Sequence, residues 1–288
     1  MKNGSSETIR KTTHLQISSL CQTKAFYSSL SFHFENPQAI LPQHKTKIDP
    51  AFLEWLIGFT EGGGSFLVSP APPKEPSTRL YFVIVQEEVQ ILHHIRTTLG
   101  FGRVSQYGGY HRFIVADLKS IDRLIHIFNG NILLNKVNAR FAQWVDARNK
   151  IDSPKQDKNN VIVLKPRLFT RLKDSGLDQT SYLLSSAWFS GFIDAEGCFN
   201  IGKAWTKTSP GFSVKLRFIV DQRDERDVFE EVQRQFQGGF IYIKTGPDDQ
   251  LMLRYECDGA KDIATLQNYL SKYPLKSRKR FSCKRFFF

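Results

Sequence analysis

The sequence predicts an α+β fold built from two pseudo-twofold-related repeats, with one helix from each repeat paired at the centre. Three observations carry that expectation. The stretch Trp55-Leu-Ile-Gly-Phe-Thr-Glu-Gly-Gly-Gly-Ser-Phe66 recurs 133 positions later as Trp188-Phe-Ser-Gly-Phe-Ile-Asp-Ala-Glu-Gly-Cys-Phe199. Three later matches keep the same order. Phe82-Val-Ile-Val-Gln86 pairs with Phe218-Ile-Val-Asp-Gln222 at an offset of 136, Arg112-Phe113 with Arg254-Tyr255 at 142, and Lys136…Arg140-Phe141 with Lys276…Arg280-Phe281 at 140. Ordered matches with slowly drifting offsets mark an internal duplication of a roughly 100-residue unit. Finally, Gly58 and Gly62 lie four apart, as do Gly191 and Ala195. Small residues at that spacing share one helix face and let two backbones approach closely, so the two motif helices are expected to form the seam of an intrachain pseudo-dimer.

The elements follow in order. Residues 1–47 are basic, rich in Ser and Thr, and poor in acids. They read as an extension outside the repeats: an organelle leader, an unstructured leader, or exon-derived sequence. A first repeat spans 48–150. Asp49-Pro50 supplies an N-cap and a proline at the first helical position, and Leu53, Leu56 and Phe59 keep helical spacing. That helix is expected over 50–62, with the following glycines relieving a left-handed end. Strands are expected over 65–69 and 80–86, separated by the Pro-rich loop 71–76. A helix over 89–99 and a hairpin of 103–107 and 111–115 around Gly108-Gly109 come next. Helices over 118–128 and 136–149 complete the unit. The polar, turn-forming run 152–160 opens a linker assigned to 151–180, with some order over 161–164. The second repeat, 181–288, follows the same pattern. Its last helix is expected to be shorter than its counterpart.

Composition narrows the function. The 40 Lys and Arg against 28 Asp and Glu give a net charge of +12, which suggests a polyanionic partner, nucleic acid first. No apolar run of about 18 residues is present, so no spanning helix and no membrane partner are expected. Cys21, Cys198, Cys257 and Cys283 are far apart and form no CxxC pair. That argues against a zinc or disulfide framework and fits a reducing compartment.

One position of the repeated stretch bears on chemistry. Glu196 precedes the last glycine of the second copy, where the first copy has Gly63. A carboxylate at a helix C-terminus is disfavoured by the helix dipole, and a divalent cation reverses that sign. With a basic chain and twofold symmetry, it points to metal-assisted phosphodiester cleavage.

These stretches resemble the LAGLIDADG motif of homing endonucleases and of the related intron maturases. The two copies are LIGFTEGGG at 56–64 and FSGFIDAEG at 189–197. The resemblance extends over 82–86, Gly100-Phe-Gly102, Phe128-Asn-Gly-Asn131 and Tyr273-Pro-Leu-Lys-Ser-Arg-Lys-Arg280, so it spans about 50–285. It implies an αββαββα unit in each half, with curved antiparallel sheets that enter the DNA major groove. It implies Mg2+ or Mn2+ bound at Glu196, and at Gly63 only through backbone if at all. Glu61 and Asp194 take the earlier acidic position, where helix-end or interfacial hydrogen bonding is expected. Gln86 and Gln222 match the family's glutamine near the metals, and Lys136 and Lys276 its lysine. Both lysines read equally well as phosphate contacts.

The implied partner is double-stranded DNA with a long, asymmetric site, bound by a monomer that is an internal pseudo-dimer. Strand residues expected to face it are Ser65, Arg79, Tyr81, Arg103, Ser105, Gln106, Tyr107 and Arg112 in the first repeat. In the second they are Asn200, Lys203, Trp205, Lys207, Lys215, Arg217, Tyr242, Lys244 and Arg254. Alternation sends half of each strand's residues to the groove. With Gly63 in place of an acid, three outcomes stay open: lost cleavage, nicking of one strand through Glu196, or a binding role such as a maturase on its own intron RNA. An organelle location, mitochondrion or chloroplast, follows from the family alone.

Overall fold

The protein is described by a computed structural model covering residues 31–34, 37–70, 78–152, 161–174, 182–205, 211–246 and 250–288. A short helix α1 (Pro37–Ile40) leads to the first motif helix α2 (Pro50–Gly63). The Asp49 side chain accepts a hydrogen bond from the Ala51 amide and caps α2. Then come β1 (Gly64–Ser69), β2 (Arg79–Gln86), α3 (Val89–Leu99), β3 (Arg103–Tyr107), β4 (Tyr110–Val115), α4 (Leu118–Phe128) and α5 (Asn135–Asp152). Helix α6 (Leu168–Asp174) lies in the stretch read as linker. The second repeat runs α7 (Trp188–Glu196), β5 (Cys198–Trp205), β6 (Phe212–Gln222), α8 (Arg226–Phe236), β7 (Phe240–Thr245), β8 (Leu251–Cys257), α9 (Ala260–Lys272) and α10 (Lys279–Phe287).

Each repeat holds a four-stranded antiparallel sheet, in the orders β1-β2-β4-β3 and β5-β6-β8-β7. The two ladders superpose rung by rung. Phe66 faces Phe82, which faces Val115; Phe199 faces Phe218, which faces Cys257. Those pairs reproduce the offsets of 133, 136 and 142 read from the sequence. Behind the first sheet Phe66 packs on Phe82, Phe128, Phe141 and Trp144. Behind the second, Phe199 packs on Phe218, Phe286 and Phe287.

The motif helices form the seam. A Cβ on Gly58 would stand 1.9 Å from the Trp188 carbonyl oxygen, and one on Gly191 would stand 1.9 Å from the Trp55 carbonyl oxygen. One turn on, a Cβ on Gly62 would stand 2.4 Å from the Ala195 Cβ. At Gly58 and Gly191 backbone meets backbone, and only hydrogen fits.

Three expectations change. Gly64 ends α2 in an extended conformation (φ −100°, ψ 163°), not a left-handed one, because the chain passes straight from helix into β1. The 18-residue α5 runs past residue 150, while α10 has nine residues. The boundary at residue 47 also moves. Phe32, Ile40 and Leu41 are buried against the first repeat, and the Asn131 side chain bonds both the amide (2.9 Å) and the carbonyl (2.9 Å) of His33. Apolar side chains at 32, 40 and 41 within a polar stretch draw that segment onto α4. The Pro-rich loop 71–76 lies outside the described residues.

Candidate functional site

The seam is locked by two reciprocal carboxylates. Glu61 on α2 is buried. One of its oxygens accepts the amides of Leu133 (2.9 Å) and Leu134 (2.6 Å), and the other accepts the indole N–H of Trp188 in the opposite repeat. Asp194 on α7 is its mirror. It accepts the Trp55 indole (2.8 Å), the Lys276 amide (2.7 Å) and both the amide (3.2 Å) and hydroxyl (2.5 Å) of Ser277. Burial pushes the Glu61 carboxyl up to about 8, against the hydrogen bonds from Leu134, Trp188 and Leu133. The earlier motif acids are thereby engaged by protein donors.

Glu196, the last residue of α7, opens to solvent at the mouth of the seam. Helix ends crowd its carboxyl, and that desolvation pushes its pKa up; Lys279 opposes the shift and Asp221 adds to it. The Lys279 ammonium donates to the carbonyls of Ile193 (3.0 Å) and Ala195 (3.3 Å), at the negative end of the α7 dipole. Desolvation lowers its pKa, while Asp194 and Glu196 raise it. A carboxylate and an ammonium therefore meet at this helix end.

At the matching end of α2, Gly63 brings no carboxylate of its own, and the Glu196 side chain reaches across, its Oε1 3.6 Å from where a Cβ on Gly62 would stand. A Cβ on Gly63 would stand 3.4 Å from the Gln86 Nε2 and 4.0 Å from the Ala195 Cβ, ordinary contact distances that leave room for a side chain. The Gln86 side chain therefore lies beside this position. In the second repeat Gln222 bonds its own neighbour's amide, Arg223 (3.2 Å).

The lysine match needs correction. Leu133 and Leu134 amides meet Glu61, and Lys276 and Ser277 amides meet Asp194, so the backbone offset here is 143, not 140. That places Lys279 at the position of Lys136. The Lys276 ammonium instead lies 5.8 Å over the Trp55 ring. Lys136 is exposed and pairs with Asp224 (2.7 Å). Glu225 accepts the amides of Asn135 (2.9 Å) and Lys136 (3.0 Å) and caps α5 from the other repeat. No group of three or more His, Cys, Asp or Glu side chains among the described residues converges as a metal cage.

Register sorts the strand residues. On the outer face of the first sheet, away from the Phe66 core, lie Ser65, Arg79, Tyr81, Arg103, Ser105, Tyr107 and Arg112. Gln106 pairs with His111 on the opposite side of the pleat. The second outer face carries Asn200, Lys215, Arg217, Tyr242, Lys244 and Arg254. Lys203 and Trp205 fall on the other side, in register with Val214 and Phe212, because the strand period of two separates them from Asn200. Lys207 lies outside the described residues. The sequence reading missed two carboxylates on this outer face. Asp221 accepts Arg254 Nε (2.7 Å), Arg254 Nη2 (2.9 Å) and Lys244 Nζ (2.6 Å), and Glu256 accepts the Tyr242 hydroxyl (2.5 Å). Burial works against the Asp221 charge, but the hydrogen bonds from Arg254 and Lys244 outweigh it and hold its pKa below the usual range.

A family model described as LAGLIDADG endonuclease matches residues 56–147 and 189–287. The chain belongs to the LAGLIDADG endonuclease family. A probable intron-encoded endonuclease 4 of Neurospora crassa is 30% identical over 79% of this chain and 38% of its own length. A probable intron-encoded endonuclease Cox1-I1b of Schizosaccharomyces pombe is 27% identical over 58% of this chain and 46% of its own length. The chain thus spans less than half the length of these two relatives. The crystal structure of the LAGLIDADG meganuclease I-AabMI bound to uncleaved DNA has the same fold, with a TM-score of 0.63 at 20% identity over 82% of this chain and 89% of that one.

Proposed function

We propose that this chain is a site-specific DNA-binding endonuclease whose cleavage is confined to one strand. The observation that carries this reading is the unequal pair of helix ends: Glu196 with Lys279 at one, bare Gly63 at the other. Two outer sheet faces related by the seam axis present Arg79, Arg103 and Arg112 on one side and Lys215, Arg217, Lys244 and Arg254 on the other. Each face spans about one turn of duplex, so the site is long and asymmetric. Phosphate neutralisation by these side chains supplies most of the affinity.

Glu196 fits a divalent cation such as Mg2+ or Mn2+. It is a hard oxygen donor at a helix C-terminus, and Mg2+ is commonly held by one or two carboxylates with substrate phosphate oxygens. Gly63 offers no side-chain oxygen, so the donor set fits a cation on one side only. When bound, the cation supplies Lewis-acid stabilisation of charge on the scissile phosphate. The chain's own groups do the rest. Lys279 places a positive charge beside the same phosphate. Gln86 and Gln222 orient water or phosphate by hydrogen bonds at the strand ends, and Lys136 contacts phosphate on the Gly63 side. Expression from an organelle intron belongs to the same reading.

The test uses a supercoiled plasmid carrying a duplex site selected from a random pool, with Mg2+. The natural chain is expected to give open circles, and Gly63→Asp to give linear DNA. Linear product from the natural chain at the same rate as from Gly63→Asp overturns the one-strand assignment. No product from either chain, with the site still bound, overturns the cleavage assignment.

A further inference from the structure

We infer that Asp221 is a specificity-determining positioning residue, which fixes Arg254 for the reading of one guanine in the second half of the DNA site. This rests on the proposed DNA-binding reading of the outer sheet faces.

The argument starts from three matched positions on adjacent strands. In the first sheet Val85 faces Arg112, and Tyr107 lies two residues along β3 from the Ser105 that pairs with Arg112. In the second sheet Asp221 faces Arg254, and Lys244 lies two residues along β7 from the Tyr242 that pairs with Arg254. The triangle Val85–Arg112–Tyr107 has thus become Asp221–Arg254–Lys244. The arginine is common to both, and its surroundings differ in kind.

Arg112 lies over the Tyr107 ring at 4.0 Å, and its buried Nε has no protein partner among the described residues. The Tyr107 ring holds the plane of this guanidinium, and no carboxylate faces Arg112 across β2, where Val85 stands. Arg254 is gripped side-on: Nε and Nη2 both reach Asp221, which is a planar bidentate pair. Asp221 leaves the donors at the Nη1–Nη2 end of the fork, and the Tyr242 hydroxyl also lies against this guanidinium. Guanine offers O6 and N7 to a two-donor edge of that kind. The Lys244 ammonium, on the same Asp221 oxygen as Nη2, closes the flank. Tyr242, opposite Arg254 in register, is held by Glu256.

A carboxylate on a face that meets phosphates lowers general attraction. Its presence here is explained by orientation: Asp221 gives up electrostatic affinity and fixes an arginine whose freedom would otherwise blur its readout. The first sheet, with Val85, keeps the full cationic charge and an arginine held by the Tyr107 ring alone, with no bidentate carboxylate.

The experiment selects duplexes from a random pool with the wild-type chain, Asp221→Val, Asp221→Asn and Val85→Asp, after confirming by thermal unfolding that each is folded. Wild type is expected to enrich guanine at one position of the second half-site. Asp221→Val is expected to reduce that preference by about tenfold, the scale of one bidentate base contact. It should also steepen the salt dependence of non-specific binding by about one in log–log slope. Asp221→Asn, which keeps the shape and loses the charge, is expected to fall between the two. Val85→Asp is expected to sharpen one guanine in the first half-site. Unchanged preference with Asp221→Val and Asp221→Asn overturns the inference, as does a loss spread evenly over both half-sites. A wild-type chain that enriches no site overturns the DNA-binding reading itself and the inference with it.

Discussion

The ends of the two motif helices have nearly the same backbone and very different chemistry. Around Glu196, the Lys279 ammonium donates to the last carbonyls of α7 and its charge acts on the Glu196 carboxyl. Around Gly63 the seam is packed as closely, Gln86 is in place, and the space for a side chain is open. The packing of the seam and the chemistry at its mouth are therefore separate properties of one motif. Losing the acid on one side does not disturb the helix pair, because the glycines and the earlier acids hold it.

The largest contrast is catalytic. Glu196→Gln is expected to cut phosphodiester cleavage on the order of 10^3-fold, since a metal ligand contributes several kcal/mol of charge stabilisation. Gly63→Ala is expected to leave the rate within about twofold. Plasmid relaxation with matched DNA-binding titrations checks both, and equal losses would erase the contrast. Next comes stability. Gly58→Ala places a Cβ against the Trp188 carbonyl and is expected to cost about 3 kcal/mol as overpacking. Gly63→Ala, with nothing nearer than 3.4 Å, should cost under about 1 kcal/mol. Denaturant unfolding of the two variants decides whether the seam tolerates a methyl group at one place and not the other.

Smaller effects follow from the reciprocal acids. Glu61→Gln turns one acceptor oxygen into an amide donor, which faces amide or indole N–H groups, and is expected to cost about 1–3 kcal/mol. Asp194→Asn should cost a similar amount if the two sides are equivalent, and a marked inequality would break the mirror. The smallest contrast concerns the pleat. Arg103→Ala is expected to weaken DNA binding about tenfold, while Gln106→Ala should stay within about twofold, because the two side chains leave opposite sides of β3. Fluorescence anisotropy on one duplex measures both.

Much of the architecture was legible because duplication supplies an internal standard. The offsets 133, 136 and 142 are the ladder register itself. Where a connecting loop changes length, the same method slips. Lys276 looked like the partner of Lys136 at offset 140, and only the amides on Glu61 and Asp194 reveal 143 and with it Lys279. Asp221 stood inside a matched strand as an ordinary substitution for Val85; its pairing with Arg254 and Lys244 depends on cross-strand geometry that a linear pattern does not carry. Strand alternation was known in principle, yet the phase for Gln106, Lys203 and Trp205 needed the hydrogen-bonded register. The contact of Phe32 and Ile40 with α4 left only a few apolar residues in a polar stretch as its signal.

The crossing of the caps has one more consequence. Glu61 ties its own repeat's α5 to a tryptophan of the other repeat, and Glu225 caps α5 from across the seam. A first repeat expressed by itself would expose the Gly58 face and leave the Glu61 and Trp55 hydrogen bonds to the second repeat unmade. The chain is therefore expected to unfold in a single cooperative transition. If it were cut between its halves, the fragments would gain structure only on reassociation.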